Sequence, residues 1–231
     1  MDQFVMRKNS LSEYRAVIFD LDGTLYYQKP FRIRMLFYLL GRMLWHPVSI
    51  GDVFLIKRYR KVREKWEDYE QKVPFPEDMA LEDRQYEFVA GEKGVSAKRV
   101  EEAVHFYMHE APLKLLPGYK DAVLSEIIEN LREKGISIIV YSDYPVEEKL
   151  RALGINADLC FTSADEQINC MKPDPKGLKV ILETLKLDAA DAVMIGDRYE
   201  KDGLAAIENK MDYIIVPASK REREKMKGLF S

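Results

Sequence analysis

The chain has 231 residues, enough to bury a sizeable core in one large domain or two small ones. Hydrophobic residues make up 47% and charged residues 32%, an ordinary balance for a water-soluble globular protein, and a net charge of −3 argues against a dedicated nucleic-acid binder. Cys160 and Cys170 fit no metal or redox spacing and suggest no disulfide framework, so a reduced, cytoplasmic compartment is the expectation.

Residues 1–14 lack a continuous apolar core and do not read as a signal peptide. Residues 15–19 read as a short buried strand, nearly continuous in apolar content. The run continues into Ile18-Phe19-Asp20-Leu21-Asp22-Gly23-Thr24-Leu25, where Gly23 supplies the freedom of a tight turn. Asp20 and Asp22 therefore emerge at the carboxyl end of a strand, where open α/β sheets place ligands. In an extended segment, positions i and i+2 point the same way, so both carboxylates can address one small volume. Like charges that close need a cation or a shared proton, and a hard dication such as Mg²⁺ prefers oxygen ligands. A solvated Asp-Gly turn is the plain alternative for these four residues taken alone.

Residues 30 to about 115 show helical patterns and no convincing strand, far more than an ordinary connection holds. The stretch is bounded by Lys29-Pro30 and Leu116-Pro117-Gly118, and it reads as an inserted helical domain. Its apolar segment 35–45 is too short to span a membrane and carries Arg42. It suits either an amphipathic surface helix or, as the favoured reading, a helix buried against its neighbours. The first half of the insert is basic (Arg32, Arg34, Lys57, Arg58, Arg60, Lys61, Arg63) and the second acidic (Glu77, Asp78, Glu82, Asp83, Glu87). Solvated helix faces that pair with one another are expected, ahead of a basic side turned to an anionic substrate. Tyr26, Tyr27 and Phe31 suit packing at the entrance to the insert or contact with a leaving group. His105 and His109 share a helical face and His46 stands apart, too few ligands for zinc.

From there the chain alternates strand and helix. Strands are expected at 136–141, 159–162, 192–195 and 213–216, and helices at 119–134, 145–153, 175–187 and 201–210. Val123, Leu124, Ile127, Ile128 and Leu131 form one stripe, and Gly135 stops it. This rhythm implies a mostly parallel sheet with right-handed crossovers. Three further signals follow these strands: Ser142 before Asp143 and Pro145, Lys172 in Met171-Lys172-Pro173-Asp174-Pro175, and Gly196-Asp197 with Asp202. Singly, each suits a cap hydroxyl, a surface lysine or an acidic loop. The charged tail 220–227 reads as a helix or frayed end with no assigned role.

Taken together, Asp20-Leu21-Asp22-Gly23-Thr24, Ser142, Lys172-Pro173 and Gly196-Asp197 with Asp202 resemble the haloacid dehalogenase-like (HAD) hydrolase superfamily across nearly the whole core. The resemblance implies an α/β fold: a Rossmann-like parallel-sheet core over 1–29 and 116–231, with a helical cap of the C1 type over 30–115. It implies that Asp20 is the nucleophile toward phosphorus and Asp22 the general acid and base. Asp20, Asp197 and the main-chain carbonyl of Asp22 would hold Mg²⁺, Asp202 would support that site, and Ser142 with Lys172 would bind the phosphoryl group. In such enzymes the cap chooses the substrate.

Asp22 and the Asp197/Asp202 pair argue against the metal-free dehalogenases of the superfamily, and no cap lysine stands out for Schiff-base chemistry. The implied activity is a Mg²⁺-dependent phosphatase acting on a small phosphorylated metabolite. A sugar phosphomutase shares every core motif, and a non-catalytic phosphate-binding protein is the second alternative. Neither nucleic acid nor membrane is expected as a partner, and a monomer or homodimer is expected.

Overall fold

The structure, a computed structural model, describes residues 4–45, 50–76 and 78–226. His46, Glu77 and Lys227 lie outside the described residues, as does the side chain of Arg42. The chain divides into two compact units, Met1–Phe31 with Leu116–Ser231, and Arg32–Leu115.

The first unit is built on six strands: β1 (Phe4–Val5), β2 (Ala16–Phe19), β3 (Ser137–Ser142), β4 (Leu159–Thr162), β5 (Ala192–Gly196) and β6 (Asp212–Ile215). Their order across the sheet is β1-β6-β5-β2-β3-β4. The five strands from β2 to β6 pair in parallel, and only β1 runs antiparallel, along the edge of β6. Ala16, Val17, Ile18 and Phe19 are all fully buried, as the unbroken apolar run requires of a strand covered on both faces. Burying each large side chain contributes roughly 1.5–3 kcal/mol.

The helices that fill the crossovers start and stop for local reasons. Asp121 caps Ala122–Glu133, its Oδ1 accepting the Leu124 N–H at 3.0 Å, a contact worth about 1 kcal/mol. Gly135 adopts φ +79° just past that helix. Three expected helices prove shorter: 119–134 is Ala122–Glu133, 145–153 begins only at Glu147, and 175–187 is Lys176–Leu185. The expected helix 201–210 is instead a π-helical turn, Tyr199–Gly203, running into a short helix, Leu204–Glu208.

After β2 the chain fills one side of the sheet with β3 and β4, then returns to the other side of β2 for β5 and β6. The reversal sits at β2, so its carboxyl end opens into the crevice where such sheets bind ligands. Phe19 is in register with Val140 on one side and Ile195 on the other. Asp20, Ser142 and Asp197 thus leave three neighbouring strands at almost the same level.

Among its described residues the second unit holds helices and turns but no strand, with helices Ile50–Glu64, Trp66–Glu70, Leu81–Lys93 and Ala97–Val104, the last continuing through a π-helical segment, His105–Glu110. Gln28–Trp45 enters it from the first unit. Charge pairing between its halves is present: Arg58 holds Glu92 at 2.6 Å, and Arg63 holds Glu82 at 3.5 Å. His105 Nδ1 pairs with Glu110 at 3.0 Å. Among the described side chains of the helix over 35–45, Met35 is buried as favoured but much of the apolar content is not. Leu36, Phe37 and Leu40 are exposed, because the helix is apolar on more than one face.

Candidate active site

Asp20 continues from β2, its N–H donating to the Ile195 carbonyl of β5 at 2.8 Å. Its carboxylate is buried, with Thr24 Oγ1 donating to one oxygen at 3.1 Å and Lys172 Nζ to the other at 2.7 Å. Lys172 also donates to Asp202 Oδ1 at 2.6 Å and stands 5.2 Å from the centre of the Tyr141 ring. Carboxylate oxygens of Asp20, Asp197 and Asp202 lie within 4.8 Å of one another. Two glycines permit that approach. A Cβ on Gly23 would sit 2.1 Å from Asp197 Oδ2, and one on Gly196 would sit 2.2 Å from Asp202 Oδ2.

Lys172 thus pairs with two buried carboxylates, Asp20 and Asp202, with the half-buried Asp197 beside them. Burial, helped by Asp202 and Asp197, raises the Asp20 carboxyl well above its ordinary range despite Lys172. Burial and Asp202 likewise push Asp197 up to about 6. For Lys172, burial works against the charge, but Asp20 and Asp202 more than offset it and the ammonium is held. An all-oxygen donor set with uncompensated negative charge fits a hard dication such as Mg²⁺.

That charge excess has a measurable sign. Asp197 has a folded pKa of about 6 against an ordinary 3.8, so ionising it costs stability. The metal-free protein is expected to lose stability as pH rises through about 6, with Asp20 acting in the same direction. Mg²⁺ should restore it, and the increment should be larger above pH 6 than below. Urea midpoints with Mg²⁺ and with a chelator, on both sides of that pH, make the check. An increment that does not change with pH would count against the site.

The Asp22 carboxylate stands apart from this cluster. Lys149 Nζ bridges both of its oxygens at 2.7 and 2.8 Å, Ser142 Oγ approaches Oδ2 at 3.3 Å, and the Tyr26 hydroxyl donates to Oδ1. Burial alone would raise Asp22, but Lys149 overrides it and, with Tyr26 and Ser142, holds the carboxyl below its ordinary range. The side chain of Asp202, rather than that of Asp22, completes the carboxylate trio.

Four side chains outside the set of site residues expected from sequence shape the site. Lys149 lies on the helix Glu147–Leu153 and is buried against Asp22. Tyr26, left open between packing and contact with a leaving group, both bonds Asp22 and meets Phe31 edge to face at 5.4 Å. Asp143 is buried, accepting the Lys172 N–H at 3.1 Å and the Ser163 hydroxyl, which fixes the segment that carries Lys172. Arg223, in the tail left without a role, is 2% exposed. Its guanidinium donates to the Gly23 and Thr24 carbonyls, to Asp121 at 2.7 Å and to the Pro217 carbonyl at 2.6 Å. It braces the turn after Asp22 from behind.

A carboxylate cluster with a buried lysine, at the switch point of a mostly parallel sheet, defines an α/β protein whose site suits a hard cation and an anionic ligand. A family profile for haloacid dehalogenase-like hydrolases matches residues 14–209, and the chain belongs to that family. A 2-haloacid dehalogenase from Pseudomonas syringae pv. tomato DC3000 shares the fold with TM-score 0.57 and 18% identity, over 87% of this chain and 85% of that one. YfnB from Bacillus subtilis, described as a HAD-hydrolase and solved with bound magnesium, aligns with TM-score 0.55 and 17% identity over 87% of each chain. A predicted phosphoglycolate phosphatase from Haemophilus somnus 129pt gives TM-score 0.53 and 17% identity, over 90% of this chain and 86% of that one. A search of curated proteins gave no match. Arg223 lies beyond the stretch that the family profile matches.

Proposed function

We propose that this HAD-family hydrolase is a Mg²⁺-dependent phosphatase that cleaves a small phosphomonoester through a phosphoaspartate on Asp20. The observation that carries the reading is the convergence of Asp20, Asp197 and Asp202 around Lys172, within 4.8 Å for the carboxylates. Asp20, Asp197 and Asp202 would hold the metal, with the Asp22 carbonyl as a further oxygen. Bound Mg²⁺ would neutralise charge on the phosphoryl oxygens and lower the repulsion between two anions. The magnesium in the Bacillus subtilis neighbour is consistent with that.

An Asp20 oxygen attacks phosphorus, and the bond from phosphorus to the leaving oxygen breaks. Asp22 protonates the leaving oxygen, then takes a proton from the water that attacks the phosphoaspartate and releases phosphate. In the free protein Asp22 is held ionised by Lys149, so its proton arrives with the substrate monoanion. The anionic phosphoryl group entering beside it then raises the carboxyl. Ser142 orients the phosphoryl group, and Lys172 holds charge on it.

Hydrolysis of an aryl phosphate and of a panel of phosphorylated metabolites, with Mg²⁺ and with chelator, tests this reading. Release of inorganic phosphate only with Mg²⁺ is expected. Halide release from 2-haloacids, or an isomeric phosphate ester as product, would replace the reading with a dehalogenase or a phosphomutase. Inactivity across the panel would leave a phosphate-binding protein.

A further inference from the structure

The helix Gln28–Trp45 is apolar on two opposite faces. Phe31 and Met35 are each 6% exposed, whereas Ile33, Leu36, Phe37 and Leu40 are 59%, 55%, 61% and 47% exposed. At 3.6 residues per turn, these four fall in a stripe roughly 100° wide, opposite Phe31 and Met35. Arg32 and Arg34 are exposed on its two flanks, and Lys29 is exposed one turn before Ile33. Single exposed apolar residues are ordinary on a protein surface, but four on one helical stripe mark an interaction face.

Charge selects the occupant. No Asp or Glu occurs from residue 23 to residue 51, while Lys29, Arg32, Arg34 and Arg42 do. In the following helix, Val53 and Phe54 are 43% and 58% exposed, and Lys57 and Arg60 are exposed after them. The complementary surface must therefore be apolar and anionic at once. A two-fold contact between copies of this face would set arginines against arginines. Among the described residues no helix is long and apolar enough to cross a membrane, so lying in the interface plane is the remaining geometry for lipid.

We propose that Gln28–Trp45 binds in the plane of an anionic lipid bilayer surface. Ile33, Leu36, Phe37 and Leu40 enter between the headgroups, and Arg32 and Arg34 pair with lipid phosphates. The inference is independent of the phosphatase reading and departs from the expectation of no membrane partner.

The test is co-sedimentation of the full chain with vesicles of phosphatidylcholine alone or mixed with phosphatidylglycerol. The wild type should pellet with the mixed vesicles, less so at high salt, and hardly with neutral ones. Leu36→Ser with Phe37→Ser should weaken partition by about tenfold or more while leaving circular dichroism and the unfolding midpoint unchanged, since both side chains face solvent. Arg32→Glu with Arg34→Glu should remove the preference for the anionic lipid. Absence of binding to mixed vesicles would overturn the proposal, as would binding that both variants retain. A solution dimer that dissociates in Leu36→Ser with Phe37→Ser would assign the face to self-association instead.

Discussion

Asp20→Asn is expected to lower Mg²⁺-dependent turnover of an aryl phosphate by about 10⁴-fold or more, the loss typical of a removed nucleophile. Asparagine keeps the shape of the side chain and its contact with Thr24, so the loss should be chemical rather than structural. Buried Asp20 is charged at a cost, beside Asp197 and Asp202. Neutralising it should leave the metal-free protein as stable as the wild type or more so, an exchange of stability for function. Ser142→Ala is the contrast, because that hydroxyl orients rather than reacts. Its expected loss is about 10–100-fold, with Asp22 still held by Lys149 and Tyr26. Steady-state rates with unfolding midpoints for both variants separate the roles. Near-normal turnover in Asp20→Asn would remove the covalent route.

The sheet was legible because strands covered on both faces must be apolar without interruption. Expected strands at 15–19, 136–141, 159–162, 192–195 and 213–216 differ from β2 to β6 by a residue at some ends. β1 was missed because two residues on an antiparallel edge carry no periodicity. Asp20, Ser142, Lys172, Asp197 and Asp202 were singled out because they lie at or beyond strand ends and, taken together, resemble the HAD motifs. Lys149 was not, since a lysine after Glu147 and Glu148 looks like any solvated helix start. Arg223 sits in a run of alternating charges, and two of its partners lie about two hundred residues away, at Gly23 and Thr24. The helix at 35–45 failed differently. Periodicity reveals that a face is apolar but not which face the fold covers.

Lys172→Met should remove activity almost as completely as Asp20→Asn, but with the opposite effect on stability. Methionine fills much of the same volume, so little cavity forms. What disappears is the ammonium bonded to both Asp20 and Asp202, each largely shut off from water. Breaking a buried pair by deleting one partner typically costs about 3–5 kcal/mol, because the stranded charge must be paired, solvated or protonated. With two carboxylates stranded, the variant should be least stable at neutral pH and recover as acid neutralises Asp20, the sign expected of a carboxyl raised in the folded state. Mg²⁺ would offer a second route to the same relief, since it would add positive charge among the same oxygens. The metal should therefore raise the unfolding midpoint more in Lys172→Met than in the wild type, while turnover stays about 10³-fold down or worse. Unfolding midpoints at neutral and acid pH, with Mg²⁺ and with chelator, read both effects in one series. An equal Mg²⁺ increment in the two proteins would mean that the lysine and the metal do not share those carboxylates.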